Sequence, residues 1–388
     1  MKITRVHAQW LHVPLPEERQ HTSDFGRSVS FDTALVRIDT DQGLTGWGEA
    51  KVAAGSFGHY GAVCHLINTE IAPQLEGRDP RAISRIWDEL YNGTRGHYAL
   101  ARGHVFPIIG RRGLNISALS GIDIALWDLL GKSLNVPVHQ LLGGKRAERM
   151  PAYASGGWKS ADLIGDELNG YLARGGFRAV KMRVGVQDGS PAVSAARVRA
   201  AREALAPEIE LMCDAHGTWT VSDARQFCRM VDGCDIAWLE EPVTADDTVG
   251  LAEVRRSTTI PIAAGESEFT RHDFLRLVEA RAVDIVQPDL AICGGISEAQ
   301  RIAAVASAAN LRLAAHLWAG APAFAAGLHL SAANPAAFIL EYSVGANPMI
   351  HDLVEESFPV KDGLLEIPDR PGLGITPRAD FIARHAVR

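Results

Sequence analysis

Three acidic residues recur at an even spacing in the second half of the 388-residue chain, and each follows a short apolar run. Asp214, Glu240 and Glu266 follow one another at intervals of 26 residues. If the runs are neighbouring parallel strands, about 4.8 Å apart, the three carboxylates converge at one edge of the sheet. Converging carboxylates repel one another unless a positive group lies between them, and all-oxygen ligation favours a hard cation such as Mg²⁺. The spacing therefore predicts a magnesium site, against the alternative that each carboxylate pairs with a separate Lys or Arg.

Two basic residues end the apolar run that precedes this trio. Lys181 and Arg183 occupy alternate positions in AVKMRVG, so their side chains face the same side of a strand. A lysine beside a cation is expected to have a lowered pKa. Arg183 is a poor proton-abstracting base, because an arginine pKa exceeds ~12.

A carboxylate and an imidazole form a further pair later in the chain. Asp289 and His316 lie 27 residues apart, again one strand and helix unit. A carboxylate that fixes the tautomer of an imidazole makes the histidine a directed general base. Glu341 ends the last run, and two roles stay open for it: a hydrogen bond at the substrate carboxylate and a salt bridge with Lys181.

A second histidine lies beside the first predicted metal ligand. Asp214 and His216 are two residues apart in LMCDAHGTWT, so they face the same side of their strand. A strand end that emerges into water is the plain explanation for one such pair. Seven consecutive runs end in ionisable residues, however, and this favours a shared functional face.

The elements that must position these residues are short strands alternating with amphipathic helices. From about residue 151, eight apolar runs recur roughly every 24 to 30 residues, the size of one βα unit. They are PAYAS, AVKMRVG, IELMCDA, IAWLEEP, PIAAGES, IVQPDLA, LRLAAHL and FILEYS. No G-x-G-x-x-G turn opens the series, so the pattern favours a closed (β/α)8 barrel, with its site at the carboxyl ends of the strands, over an open doubly wound sheet.

Residues 1–130 show a different pattern, in which strands come before helices. MKITRVHAQWLHVPL and TALVRIDTDQGLTGWGEA alternate with period two, and helical patterns follow them, which predicts an α+β module. The tail, rich in Gly and Pro, lies outside the alternation and is expected to run back over that module. We therefore predict a capping domain of residues 1–130, completed by residues 356–388, and a barrel of residues 131–355.

Composition narrows the class of protein. The formal net charge is −7, and no basic run has interleaved aromatic residues, so no nucleic-acid partner is expected. Five cysteines without paired spacing argue against a disulfide framework or a zinc site. We find neither an uninterrupted apolar run of ~18 residues nor a secretory pattern, and expect a cytoplasmic protein without membrane contact.

The motifs resemble those of the mandelate racemase subgroup of the enolase superfamily over the whole chain. The matching stretches are VRIDTDQGLTGWGEA, IDIALWDLLGK, LMCDAH, WLEEP, AAGES, QPDLAICGGISEAQRI, AAHLW and PGLGI. The resemblance implies an α/β fold in which an α+β cap covers a modified (β/α)7β barrel, with Mg²⁺ on the acidic trio. It also implies Asp289 with His316 as the base dyad, Glu341 as a contact of the substrate carboxylate, and Glu241 as a neighbour that does not bind the metal.

The chain departs from the subgroup pattern at two positions, and the second, His216, resembles the acid-sugar dehydratases of the family. Many members have Lys-x-Lys where this chain has Lys181 and Arg183, and the position of His216 is usually Asn. In galactonate and mannonate dehydratases a histidine there is the acid that assists loss of hydroxide. The implied reaction begins when His316 removes the C2 proton of a 2,3-dihydroxy acid while the metal, Lys181 and Arg183 stabilise the enediolate. His216 then protonates the departing 3-hydroxyl, and the product ketonises to a 2-keto-3-deoxy acid.

Three other functions compete with this one. Sugar-acid lactone cycloisomerases of the same subgroup share ALSGIDIALWD, form the same enolate and eliminate a ring oxygen. Racemases and epimerases of α-substituted acids need a base on each face of the substrate, and Arg183 leaves only Lys181 as the second base. A sugar-acid binding protein with an inactive barrel is disfavoured, because no metal ligand or dyad member is missing.

Residues that read the rest of the substrate are expected in loops of the capping domain, although each loop is equally well explained as a solvated one. The loops are HTSDFGRSVS, AAGSFGHY and RGHYALARGHVFPIIGRRG, and the residues chosen from them are Arg27, His97 and Arg112. The expected partner is a small carboxylate, an acid sugar or its lactone. A homo-oligomer is expected by the same resemblance.

Overall fold

The strands of the amino-terminal region form a small antiparallel sheet. The computed structural model describes residues 1–17, 20–52, 60–93, 101–103, 112–345 and 347–387. The sheet has the order β1 (Ile3–Pro14), β4 (Ser30–Thr40) and β5 (Thr45–Ala50). Between β1 and β4 lies a hairpin, β2 (His21–Ser23) and β3 (Gly26–Ser28), which turns at residues 24 and 25. One face of this sheet carries Ala34, Val36 and Ile38 and is buried in the core of the amino-terminal region, and on the other face Leu11 and Leu35 are buried in the core that includes the barrel.

Helices cover the first of these two faces. They are α1 (Gly61–Leu66), a π-helical turn (Ile67–Ile71), α2 (Ala72–Leu75), α3 (Ile83–Asn92), α4 (Leu114–Leu134) and α5 (Val138–Leu141). The long helix α4 has the length and hydropathy of a membrane span, but 78% of its most apolar window is buried inside the protein. It is a core helix that lies directly on β5.

Eight parallel strands follow, and each overlaps one of the apolar runs predicted from the sequence. Neighbours along the chain are paired, and the last strand pairs in parallel with the first, residue Leu340 opposite Ala152. A parallel bridge between Leu313 and Ala337 joins the seventh strand to the start of the eighth. The strands are β6 (Arg149–Gly156), β7 (Ala179–Arg183), β8 (Glu210–Asp214), β9 (Ile236–Glu240), β10 (Ile262–Ala264), β11 (Ile285–Val286), β12 (Arg312–Leu313) and β13 (Leu340–Ser343).

Seven helices connect these strands, so residues 149–343 form the predicted (β/α)7β barrel. They are α6 (Ile164–Gly175), α7 (Pro191–Ala204), α8 (Val221–Met230), α9 (Thr248–Arg256), α10 (Thr270–Glu279), α11 (Gly295–Ala308) and α12 (Ala321–Ala333). Inward-facing side chains such as Tyr153, Met212 and Trp238 fill the barrel below its mouth. The predicted fold class is therefore confirmed.

The carboxyl-terminal segment contacts both the barrel and the amino-terminal sheet. It contains α13 (Pro348–His351), β14 (Val360–Lys361), β15 (Leu364–Glu366) and α14 (Ala379–His385). β15 pairs antiparallel with β6 at the start of the barrel. Farther on, the backbone nitrogen of Val387 donates to the carbonyl oxygen of Trp10 in β1. The segment thus reaches the amino-terminal sheet, as expected, but it first adds two short strands beside the barrel.

The close approach of α4 to β5 depends on glycines on both elements. A Cβ atom added at Gly48 would overlap the carbonyl oxygen of Gly121 and lie 2.8 Å from the backbone nitrogen of Ala125. These neighbours are backbone atoms of a helix, so they cannot move aside individually. The substitution Gly48→Ala must push the strand and helix apart.

We expect Gly48→Ala to lower the free energy of unfolding by ~3 kcal/mol, because overfilled cores relax poorly. The matched control is Gly170→Ala, at an exposed position in α6 where an added Cβ meets no atom within 4 Å. It should raise stability by ~0.5–1 kcal/mol through helix propensity. Denaturant unfolding followed by circular dichroism measures both. Equal effects of the two variants would contradict the close packing of α4 on β5.

Candidate active site

The three predicted metal ligands meet at the mouth of the barrel. Asp214 and Glu240 are the last residues of β8 and β9, and Glu266 lies two residues beyond β10. One carboxylate oxygen of each residue lies within 4.8 Å of the other two, and all three side chains are buried. Oxygen ligands on opposite sides of one hard cation are about 4–5 Å apart. The trio is therefore a donor set that fits one Mg²⁺ ion.

Lys181 lies against the trio with its ammonium group completely buried. Its Nζ is 3.3 Å from Asp214 Oδ2 and 3.1 Å from Glu341 Oε1, and it donates a hydrogen bond to Glu240 Oε1. Burial by itself lowers the pKa of Lys181, but Glu240 and Glu341 outweigh it and raise the pKa above its ordinary value. The carboxylates of the protein thus favour the charged form of Lys181, whereas the lowered pKa predicted from the sequence is the effect of a bound cation.

Glu341 is held as a carboxylate by the same ion pair. Burial acts to raise its pKa, but Lys181, followed by His316, holds the pKa well below its ordinary value. Its second oxygen accepts a hydrogen bond of 2.9 Å from the backbone nitrogen of Leu317. Of the two roles left open by the sequence, the structure shows the salt bridge with Lys181.

Arg183 contacts the carboxylate of Asp214 and lies between two indole rings. Its guanidinium carbon is 5.3 Å from the ring centroids of both Trp158 and Trp318. Such stacking fixes the plane of a guanidinium while leaving its charge intact. The residue therefore supplies a fixed positive charge at the first metal ligand.

Asp289 and His316 form the predicted carboxylate–imidazole pair. Asp289 Oδ2 lies 2.9 Å from His316 Nδ1, and His316 Nε2 is 3.3 Å from Glu266 Oε2, facing the trio. Burial lowers the pKa of His316, but nearby carboxylates, Glu266 first, raise it above its ordinary value overall. Lys51, at the end of β5, donates to Asp289 Oδ2 at 3.3 Å and to the carbonyl oxygen of Trp318 at 3.1 Å. The imidazole is thus oriented with Nε2 toward the metal ligands.

His216 approaches the trio from the other side of the barrel. Its own strand, β8, is the third of eight, whereas His316 follows β12, the seventh, so the two strands are diametrically opposed. His216 Nδ1 lies 2.9 Å from Asp24 Oδ2, and His216 Nε2 is 3.7 Å from Asp214 Oδ2. Burial, and then Arg183, lowers the pKa of His216 to about 4. Asp24, at its Nδ1, acts in the opposite direction and favours the charged form of the imidazole.

Glu241, the acidic neighbour of Glu240, is not one of the carboxylates that converge in the trio. Its backbone has φ of 39°, in the left-handed region, which turns the chain at the end of β9. Burial, followed by the charges of Glu266 and Glu240, raises its pKa well above the ordinary value. It lines a cavity of about 300 Å³ that also contacts Phe25, Arg112 and His216. This cavity opens beside the predicted acid and offers space for the distal part of a substrate.

The residues chosen from the capping loops have different surroundings. Arg27 has 58% of its side chain exposed, with Glu17 3.9 Å away. Arg112 lines the cavity but makes ion pairs of 2.7 to 2.8 Å with Asp246, Glu268 and Asp273. His97 lies outside the described residues. Their predicted roles in substrate binding stay predictions.

The sequence analysis did not select four residues that complete the site: Asp24, Lys51, Trp158 and Trp318. The hairpin that carries Asp24 was singled out as a loop able to close on the mouth, but Arg27 was chosen from it. Lys51 comes directly after the predicted strand that ends in GEA, and this position is the sequence feature that could have identified it as a site residue. Neither tryptophan has a spacing that marks it.

Comparison with known proteins agrees with this geometry. The Mandelate racemase / muconate lactonizing enzyme N-terminal domain matches residues 11–143, and the Enolase C-terminal domain-like family matches residues 164–381. The chain belongs to the mandelate racemase and muconate lactonizing enzyme family. It is thus a member of the enolase superfamily, as its motifs indicated.

Individual members of this family are similar over nearly the whole chain. A D-galactarolactone cycloisomerase of Agrobacterium fabrum is 36% identical, covering 98% of both chains. A D-galactonate dehydratase of Ralstonia nicotianae is 37% identical, covering 88% of this chain and 87% of its own. A racemase from Streptomyces coelicolor A3(2), solved with bound magnesium, has a TM-score of 0.86 at 32% identity and covers 99% of this chain and 100% of its own. Mg²⁺ is accordingly the cofactor, and the acidic trio is a group of side chains that could hold it.

The adjacent glutamates of β9 give a direct test of the metal ligands. We expect Glu240→Gln to weaken Mg²⁺ binding by at least ~10-fold, since removing even an outer partner of a metal site costs that much. Glu241→Gln, one residue away, should change Mg²⁺ affinity less than ~3-fold, because Glu241 is not among the carboxylates whose oxygens converge in the trio. Isothermal titration calorimetry with MgCl₂ measures both variants. Equal losses would show that the ligand assignment on β9 is wrong.

Proposed function

We propose that this family member is a Mg²⁺-dependent acid-sugar dehydratase. Its small carboxylate substrate is an aldonate or aldarate, and its product is a 2-keto-3-deoxy acid. The observation that carries the proposal is the placement of His316 and His216 on opposite sides of one acidic trio, each with a carboxylate at Nδ1. One imidazole is available to take a proton and the other to give one.

The residues around the trio have complementary tasks in this reaction. When bound, Mg²⁺ supplies positive charge for the substrate carboxylate and for the negative charge that develops there. His316 Nε2 accepts the C2 proton, and the electron pair of the C2–H bond forms the C1–C2 double bond of the enediolate. Lys181 and Arg183 lie beside the trio and add fixed positive charge in a site closed to water.

Elimination then completes the reaction without a further reagent. The C1–C2 electron pair moves to form a C2–C3 double bond as the carboxylate is restored and the C3–O bond breaks. The hydroxyl leaves with the electron pair of the C3–O bond, accepts one proton from His216 and departs as water. The resulting enol gains a proton at C3 and loses one at its 2-hydroxyl, which gives the 2-keto-3-deoxy acid.

A sugar-acid lactone cycloisomerase is the second candidate. The likeness to the cycloisomerase of Agrobacterium fabrum, which covers 98% of both chains, favours it. The first half of the reaction is identical, and His216 then protonates a ring oxygen as the leaving group. Epimerisation is a third outcome, because His216 adds a second candidate base that the sequence analysis did not weigh.

We also propose the predicted division into a capping domain and a barrel domain, with the boundary after α4 (Leu114–Leu134) because residues 130 and 131 lie within that helix. We further propose a cytoplasmic location and a homo-oligomer with no nucleic-acid or membrane partner. All five cysteines are free and buried, which suits a reducing compartment. Symmetric homo-oligomers are the common form of soluble assemblies. The formal net charge of −7 disfavours binding to nucleic acid.

Substitutions of His316 and His216 should have different effects on C2 exchange and on product formation. Wild-type protein with Mg²⁺ is incubated in D₂O with a set of aldonates, aldarates and their lactones. The 2-keto acids formed are measured with semicarbazide, and deuterium exchange at C2 is followed by NMR. We expect His316→Asn to lose both exchange and product by ~10²–10⁴-fold, as for a general base. His216→Asn should lose product formation to a similar extent but retain exchange at C2.

Each other outcome identifies a different reaction. Turnover of lactones alone would assign the cycloisomerase. Exchange with inversion and no keto acid would make His216 a second base and the protein an epimerase. Absence of exchange with every acid tested would contradict the proposed proton abstraction.

A further inference from the structure

One carboxylate of the β2–β3 hairpin is buried in the active site. Asp24 is the first residue of the hairpin turn, and only 3% of its side chain is exposed. Its Oδ2 lies 2.9 Å from His216 Nδ1, and its Oδ1 accepts a hydrogen bond of 2.8 Å from the backbone nitrogen of Gln187. Both oxygens therefore have a partner, which a buried carboxylate requires.

The barrel leaves room for this carboxylate at a glycine. A Cβ atom added at Gly185, in the loop that follows β7, would lie 2.6 Å from Asp24 Oδ1 and 2.7 Å from Oδ2. Gly185 has φ of 148°, a conformation that side chains rarely adopt. Asp24 is thus fixed between the loop after β7 and the histidine after β8.

The orientation of the His216 imidazole depends on contacts with residues outside its own strand. Its φ of 50° is in the left-handed region, which costs a residue with a side chain about 1 kcal/mol or more. Its backbone nitrogen donates to Asp214 Oδ1 at 3.0 Å, and the ring of Phe25 lies 4.8 Å from its own. The direction of the imidazole is therefore set by the neighbour at Nδ1.

The pair repeats the geometry of the base dyad. In both Asp24–His216 and Asp289–His316 a carboxylate Oδ2 is 2.9 Å from Nδ1, and Nε2 faces the trio. A carboxylate at Nδ1 fixes the tautomer of an imidazole and the direction of its other nitrogen. The two dyads differ in origin, because Asp289 belongs to the barrel whereas Asp24 belongs to the hairpin.

We propose that Asp24 is the positioning residue of His216: it aims Nε2 at the leaving group of the substrate. The inference rests on the proposed function, in which His216 gives its Nε2 proton to the oxygen that leaves C3. Asp24 takes no part in removal of the C2 proton, which belongs to His316. Loss of Asp24 should therefore slow elimination and leave proton abstraction in place.

The experiment compares elimination with exchange in the same Mg²⁺-loaded enzyme. D-galactonate, L-arabinonate and D-galactaro-1,4-lactone are the probes, each in D₂O, with keto acid and C2 deuteration measured together. For a probe that wild type converts, Asp24→Ala should raise the ratio of exchange to elimination at least 10-fold. Asp24→Asn keeps an acceptor oxygen and should fall between Asp24→Ala and wild type. Val29→Ala, at an exposed end of the hairpin, should match wild type.

A second readout needs no substrate. In protein labelled with ¹⁵N-histidine, the signals of His216 are assigned by their loss in His216→Asn. In wild type Nδ1 should stay protonated in the neutral and in the charged ring, because Asp24 holds its proton, so that Nε2 is the nitrogen that gives a proton to the substrate; Asp24→Ala should lose this fixed Nδ1 proton. An unchanged spectrum would overturn the inference, whether or not any probe is turned over.

The outcomes separate this inference from the proposed function. If wild type forms keto acid and His216→Asn does not, but Asp24→Ala keeps the wild-type ratio, the inference fails and the function stands. Parallel loss of exchange and elimination in Asp24→Ala would also overturn it, since that result marks general damage to the site. If wild type converts no probe, the dehydratase fails for these acids, and the ¹⁵N spectrum alone decides the role of Asp24.

Discussion

Repulsion among buried carboxylates at the barrel mouth is the constraint on which the rest of the site depends. Asp214, Glu240 and Glu266 lie within a few ångströms of one another, and Glu341 adds a fourth charge on the far side of Lys181. Charges taken out of water need organised compensation. Lys181, Arg183 and Mg²⁺ supply it together, so the lysine and arginine are required for the trio to exist as well as for the chemistry.

The second requirement is that each imidazole faces this charged centre in one orientation. Residues from the amino-terminal strands meet it on both sides: Lys51 donates to Asp289, and Asp24 lies against His216. Glu49, two residues before Lys51, accepts hydrogen bonds from the backbone nitrogens of Gly320 and Ala323 at the start of α12. The end of β5 therefore contacts the barrel beside the base dyad, and the amino-terminal sheet contributes residues to the candidate active site.

The sequence could predict what one strand or one interval determines. Positions i and i+2 of a strand share a face, and this rule predicted that Lys181 lies beside Arg183 and Asp214 beside His216. The constant interval of the acidic trio predicted that its three carboxylates converge. Contacts between distant parts of the chain carry no such period. Asp24 is 192 residues from His216 and Lys51 is 238 residues from Asp289, so only the fold reveals these pairs.

The geometry explains why one scaffold serves dehydratases, cycloisomerases and racemases. In the proposed mechanism all three begin with removal of a proton next to a carboxylate, by His316 beside the metal site. The outcome then depends on the group that meets the opposite imidazole: a hydroxyl, a ring oxygen or the same carbon atom from its other face. Because His216 and His316 lie on opposed strands, the leaving group of a dehydratase substrate must depart from the face opposite the proton. The three reactions therefore diverge at His216, whose imidazole is oriented by the hairpin.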